Sequence, residues 1–377
     1  MPGRQRAVGN DLRVVPNIFS YFLCLIKSAD RAKKILMQNK KRFLSCQKPF
    51  LFYALSLTYC SKYINIYTLG CDTMYIGIDI GGMTVKAGIV GEDGKIIAKH
   101  SVETPLDGNE SFMASILKAI NLALSDAKTD KSEIKSIGIG YPGAVDREKG
   151  ILLSANNVPG SNMEIREYLQ EKFAPVPVFV DNDANCAALG EYYSAGADGD
   201  FVFVTLGTGV GGGIVIDGKL YLGSNGVAGE LGHVVTHHGG VVCSCGRKGC
   251  WEAYASVTAL KRMTEENLDK IKSIKPDEKI SGRTVFEYAK RGDSEAKRVR
   301  DEWIEEVAIG VTDMVNIFQP KRLVIGGAIS KEGDVIIKPI REYVEKYSYD
   351  VGPLPRTIIK ASEIGGDAGI IGAAFLK

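Results

Sequence analysis

Apolar and polar positions alternate with a period of two over residues 75–90, YIGIDIGGMTVKAGIV. The alternation breaks at Gly81-Gly82 and resumes after Glu92-Asp93-Gly94 as KIIAK. Such a pattern predicts three consecutive strands, antiparallel because short turns join them, rather than the strand-turn-helix of a dinucleotide unit. Residues 201–216, FVFVTLGTGVGGGIVI, repeat it and turn at Asp217-Gly218 into KLYLG. Two strand–glycine turn–strand units predict two similarly built α/β domains, 74–190 and 191–377, facing each other across a cleft. Between them Phe112, Ile116, Ile120 and Leu124 recur at helical spacing, KSIGIGYPGAVD reads as a strand ending in a turn, and a short strand at 176–180 runs into DNDANCAALGE. The later chain predicts helices over EAYASVTALKRM, 284–292, 296–318 and 332–347. The third of these carries Trp303, Val307, Val311 and Met314 on one face and stops at Pro320. Strands at 321–325 and 357–360 empty into glycine turns, the Lys and Glu of the charged stretch 264–281 read as solvated surface, and the last helix is expected to pack back on the first domain.

Composition adds one asymmetry. The net charge of +2 divides into twelve Lys or Arg against three acids in residues 1–73, and a mildly acidic remainder. An acidic body argues against a large nucleic-acid footprint. Residues 1–73 are basic and aromatic-rich with three glycines, unlike the rest of the chain. They are expected to be a dispensable extension or an upstream start, since Met74 stands just before the first clean strand. The eight cysteines have no framework spacing outside one cluster, which with the absence of a leader or an eighteen-residue apolar run predicts a cytoplasmic protein with no membrane contact.

That cluster lies in residues 229–252, GELGHVVTHHGGVVCSCGRKGCWE. His233, Cys243, Cys245 and Cys250 are the donor types of a tetrahedral zinc site. A Cys3His set closes the shell with protein, so the zinc would hold shape rather than activate water. Four ligands leave His237 and His238 as loop residues. Asp181, Asn182, Asp183 and Asn185 crowd a strand end, where ligands collect in α/β sheets. One can cap the following helix, and a carboxylate there can accept a proton from a substrate hydroxyl. Gly81 and Gly82, with Thr84 and Lys86 after them, form one turn able to face phosphate oxygens, and Thr208 with Gly209 form another; neither has P-loop spacing. Asn156 and Asn157 are candidate hydroxyl-binding amides, and Gly326-Gly327 would let an adenine and ribose lie close to backbone.

The order GIDIGG, YPG, DNDAN, LGTGVGGG, GELGH, C-S-C-G-x-x-G-C-x-E and IGG resembles the ROK family of bacterial sugar kinases and related repressors, most nearly its ATP-dependent glucokinases. The resemblance covers residues 74–377. It implies an actin-like ATPase (ribonuclease H-like) fold, a homodimer or homotetramer, and Mg2+-dependent transfer of the ATP γ-phosphate to a hexose, glucose before N-acetylmannosamine, N-acetylglucosamine or fructose. By this resemblance Asp183 is the catalytic base, and Asn157, Asn182, Glu230, His233 and Glu252 bind sugar hydroxyls. His233 would offer its second nitrogen to zinc. Asp79 lies near the Mg-ATP phosphates, Thr84, Thr208 and Gly209 belong to the phosphate turns, and Gly327 to the adenosine side. The family's repressors carry a winged-helix domain ahead of this region; residues 1–73 lack its helix pair and recognition-helix pattern.

Overall fold

Secondary structure follows the hydrophobic pattern closely in the computed structural model, which describes residues 73–155, 158–275, 278–350 and 352–377. The first half runs β1 (Met74–Ile80), β2 (Thr84–Gly91), β3 (Ile96–Glu103), α1 (Asn109–Ala127), β4 (Ile134–Tyr141), β5 (Ala144–Asp146), β6 (Ile151–Ser154), α2 (Ile165–Phe173), β7 (Val178–Asn182) and α3 (Asp183–Ser194). The second runs β8 (Phe201–Leu206), β9 (Val210–Ile216), β10 (Lys219–Leu220), α4 (Glu252–Ala255), α5 (Val257–Glu265), α6 (Thr284–Lys290), α7 (Ser294–Phe318), β11 (Arg322–Gly326), α8 (Asp334–Tyr347), β12 (Ile358–Ala361) and α9 (Ala368–Ala374).

The two halves repeat one topology. One sheet has the order β3-β2-β1-β4-β7 and the other β10-β9-β8-β11-β12, each an antiparallel meander continued by two parallel strands. That duplication is why the glycine-interrupted pattern occurs twice. Parallel neighbours need crossovers, and α1 supplies the one from β3 to β4, with Phe112, Ile116, Ile120 and Leu124 buried against the first sheet. In the second half Trp303, Val307, Val311 and Met314 of α7 fill the core, each large side chain contributing about 1.5–3 kcal/mol by its burial. Gln319 in the left-handed conformation and Pro320 after it end α7.

The last helix ties the halves together. α9 lies against β1, β4 and α3, so closely that a Cβ at Gly77 would fall 1.8 Å from the Ile370 carbonyl oxygen and one at Gly138 1.7 Å from that of Ala373. These strands carry glycine because a helix backbone occupies the side-chain space.

Three features differ from expectation. The β5–β6 hairpin is too short, at three and four residues, to show alternation. α2 places Ile165, Leu169 and Phe173 inward among charged residues, leaving only a faint apolar stripe. In the stretch 264–281 the Lys and Glu are exposed or half-buried as expected, but Ile271, Ile274 and Ile280 among them reach the second core. Asn156, Asn157 and residues 1–72 lie outside the described residues, so the expectations for them have no structural counterpart. Among the described residues no helix is long and apolar enough to cross a membrane.

Candidate active site

The DNDAN segment divides its polar groups among distinct tasks. Asn182 caps α3, its Oδ1 accepting from Ala184 N at 2.9 Å and Asn185 N at 3.4 Å. Asp181 is buried and fully engaged: it accepts from Asn182 N at 2.6 Å, from Asn185 Nδ2 at 2.9 Å, and from Arg147 at 2.7 and 2.6 Å. Asp183 accepts only from Ala184 N, at 2.8 Å, among the hydrogen bonds of the described residues. Burial pushes its carboxyl up to about 6; the Ala184 N–H pulls against this, and the negative charges of Asp79 and Glu230 add to it. A carboxyl that titrates near neutrality and keeps lone pairs free is suited to taking a proton.

Asp183 borders a cavity of about 350 Å³, at the lower end of the roughly 300–1,000 Å³ typical of small-molecule sites. Pro142, Gly143, Arg147 and Asn182 of the first half line it together with Gly211, Gly212, residues 226–229 and Glu230 of the second. The structure thus brings Asn182, Asp183 and Glu230 to one space. His233 and Glu252 do not border it. Glu252 turns both oxygens to protein: Oε2 accepts from Val210 N at 3.0 Å and Oε1 from Ser244 Oγ at 2.8 Å. It therefore joins the cysteine-bearing loop to the second glycine turn, an arrangement its sequence position did not reveal.

The two turns are held differently. At the first, Gly81 N donates to Thr84 O, Thr104 closes onto Gly81 O and Met83 O, and Lys86 pairs with Asp79 at 2.7 Å, as the β1–β2 register requires. Gly82 and Met83 project into solvent. The second turn is braced from outside: Val257 N donates to Gly207 O, Thr258 Oγ1 donates to Thr208 O at 2.7 Å, and a Cβ on Gly209 would meet Glu252 Oε2 at 2.3 Å. Gly326 ends β11 and Gly327 follows it. Gly326 is buried, its missing side chain giving room to the Phe203 ring, while half-buried Gly327, at φ +88°, passes over the Leu206 carbonyl.

Donor atoms of His233, Cys243, Cys245 and Cys250 all lie within 4.8 Å of one another. His233 Nδ1 is 3.7 Å from Cys243 Sγ, and Cys245 Sγ is 3.7 Å from Cys250 Sγ. Zinc–sulfur bonds of about 2.3 Å in a tetrahedron set thiolates about 3.8 Å apart, so the donor set fits the ion in type and spacing. His237 is not one of the group: its ring stacks on Tyr254 at 4.0 Å, and Nε2 lies 3.6 Å from Glu306. His237 and His238 lie in the loop.

Residues 75–377 match the ROK family. The chain belongs to this family. The glucokinase of Thermotoga maritima is 39% identical over 313 residues, 80% of this chain and 96% of that protein. A ROK glucokinase from Streptomyces griseus, solved in complex with glucose and AMPPNP, superposes with a TM-score of 0.66 at 34% identity, over 80% of this chain and 98% of that one. The xylose repressor of Caldicellulosiruptor bescii is 32% identical over 282 residues, 73% of this chain and 70% of that protein. The two mixed α/β halves are those of the ROK and actin-like sugar-kinase fold. Sequence reasoning missed Arg147 and the partners of Asp181; a lone arginine after Asp146 belongs to no recognisable spacing.

Proposed function

We propose that this ROK-family chain is an ATP-dependent hexose kinase of the glucokinase type, with glucose as the first substrate to test. The observation that carries the site assignment is Asp183, a carboxyl raised to about 6 on the wall of a cavity that Glu230 also borders. Asp183 draws the proton from the attacking hexose hydroxyl, the C6 hydroxyl for glucose, as that oxygen bonds to the γ-phosphorus. The bond from phosphorus to the β,γ-bridging oxygen breaks, and ADP leaves with the electron pair. Glu230 and the Asn182 amide fix neighbouring hydroxyls. The turns at Gly81-Gly82 and Thr208-Gly209 meet the phosphates with backbone N–H groups, and Thr84 adds a hydroxyl.

When bound with ATP, magnesium would supply charge neutralisation, and Asp79 is the carboxylate that would hold it. His233, Cys243, Cys245 and Cys250 would hold zinc, which would supply rigidity to the loop between Glu230 and Glu252. With Nδ1 of His233 turned toward the thiolates, Nε2 would meet a sugar hydroxyl only where the hexose extends past the cavity that Asp183 and Glu230 border. Gly327 would lie along the adenosine. A reaction that draws on ATP favours a cytoplasmic enzyme.

The test is coupled ADP release by the full chain with glucose, fructose, N-acetylglucosamine and N-acetylmannosamine. Hexose-dependent turnover, greatest with glucose, is expected. Hexose binding by calorimetry without turnover on any of the four would reject the kinase in favour of a sugar-binding regulator.

A further inference from the structure

Among the described residues, a polar network that the site assignment does not use surrounds Arg147. This residue comes directly after β5 in the short β5–β6 hairpin, and its backbone is fixed from below: Arg166 of α2 donates to the carbonyls of Arg147, Glu148 and Val178. From that anchored position the guanidinium reaches two ways. Nε and Nη2 form a two-pronged pair with Asp181, whose side chain is 4% exposed, at the end of β7. Nη1 donates to the carbonyl of Gly226, in the connection between β10 and Glu230. Gly226 is at φ +82°, and a Cβ there would fall 2.6 Å from Nη1, so the approach depends on glycine.

Both ends lead into the cavity. Asp181 also holds Asn182 N and Asn185 Nδ2, which set the first turn of α3 and with it Asp183. Gly226 begins the run through Gly229 that delivers Glu230. An ordinary ion pair would satisfy Asp181 alone. Arginine, with five donors in a planar fork, can saturate a carboxylate and still hold a carbonyl across a gap.

We propose that Arg147 is a positioning residue for the hexose: it latches the connection carrying Glu230 onto the strand end carrying Asp183, and so sets the width of the sugar cavity. The inference rests on the kinase reading and deepens it. The phosphate-facing turns are not in this network, so the latch acts on the sugar and not on ATP.

Two variants weaken it from opposite sides. Arg147→Lys keeps a positive charge beside Asp181 but cannot reach both partners. Gly226→Ala leaves the Arg147–Asp181 pair intact and displaces only the carbonyl arm. Each is expected to raise the hexose KM about tenfold, the scale of one charge-assisted hydrogen bond, while the ATP KM stays within a factor of two or so of wild type. A purely structural role would lower thermal stability and change both KM values together, and that result overturns the proposal, as does an unchanged hexose KM in a folded variant. If Arg147→Lys does not fold, Gly226→Ala decides. Calorimetric glucose binding is measured on the same proteins. If wild type binds glucose without turning it over, the kinase reading fails, and weaker glucose binding by the variants still supports the latch. If wild type binds none of the four hexoses, the latch falls too.

Discussion

Asp183 and residues 229–252 stand at two walls built by opposite means. One wall is regular: β7 runs straight into α3, Asn182 caps the helix, and Asp181 braces the junction. The other holds little regular structure beyond the short 3-10 turn Leu231–His233 and the isolated bridges Val235↔Cys250 and Val242↔Lys248. It is shaped by a donor cluster, by reverse turns, and by Glu252 reaching back to Val210. Where backbone sets the geometry, a side chain can change without moving its neighbours. Where side chains set the geometry, each is also scaffold. Chemistry and folding should therefore separate at the first wall and move together at the second.

The largest expected effect tests the first half of that contrast. Asp183→Asn keeps an acceptor for Ala184 N, so fold and hexose affinity should persist while kcat falls about 10²–10⁴-fold, the range for losing a general base. A wild-type kcat in the purified variant would remove Asp183 from the role. The raised carboxyl also sets a pH dependence: kcat should decline as pH drops through about 6. Stability runs the other way. A folded-state pKa above the unfolded one means that protonation favours the native state. The contribution of Asp183 is therefore fully present below about 4 and is lost as pH rises through about 6. A pH–rate profile and thermal midpoints over the same range would show the opposition, and Asp183→Asn should abolish both trends.

Legibility in the sequence followed the same division. The duplicated sheets were readable because a period of two interrupted by glycine depends only on local geometry, and α1 and α7 because their buried stripes run for several turns. The donor cluster was readable because cysteine and histidine at close spacing have few other uses. What escaped was non-local. Asp181 looked like one of four equivalent polar groups until Arg147, thirty-four residues away, claimed it. Glu252 was assigned only to sugar hydroxyls, by resemblance, because nothing in its neighbourhood names Val210, forty-two residues back. Short elements such as β5, β6 and α2 carry too few positions for a period to emerge.

Metal removal tests the second half of the contrast. Three cysteine sulfurs and an imidazole whose donor atoms lie within 4.8 Å of one another make a set that an ion would hold together. Isolated zinc modules draw about 10–16 kcal/mol from their ion; a larger fold that retains two cores should lose less. A loss of about 3 kcal/mol would lower the thermal midpoint by about 5–10 °C. Chelation should also raise the hexose KM, since Glu230 and His233 ride on the same loop. Zinc content, thermal midpoint and KM followed through stripping and readdition make the measurement. A metal-free protein with unchanged midpoint and hexose KM would show that the loop holds its shape unaided.

The smaller effects ask how far the second wall reaches. Gly209→Ala would force Glu252 Oε2 away from Val210 N, and leaving that N–H without its partner costs about 1–3 kcal/mol. The loss should appear in the ATP KM, because the displaced turn is the one assigned to the phosphates. Gly81→Ala is the control from the open turn: its Cβ meets only Thr84 O, at 3.4 Å, so stability should hardly change. Ser244→Ala removes the donor to Glu252 Oε1 from an exposed position and should cost about 0.5–1.5 kcal/mol, with little effect on either KM. The order matters more than the sizes. If Ser244→Ala damaged ATP binding as much as Gly209→Ala, Glu252 would be transmitting strain from the donor loop into the phosphate turn, and the two would be one mechanical unit. If only Gly209→Ala does so, Glu252 is anchored by Val210 alone, and the donor loop governs the sugar side without reaching the nucleotide.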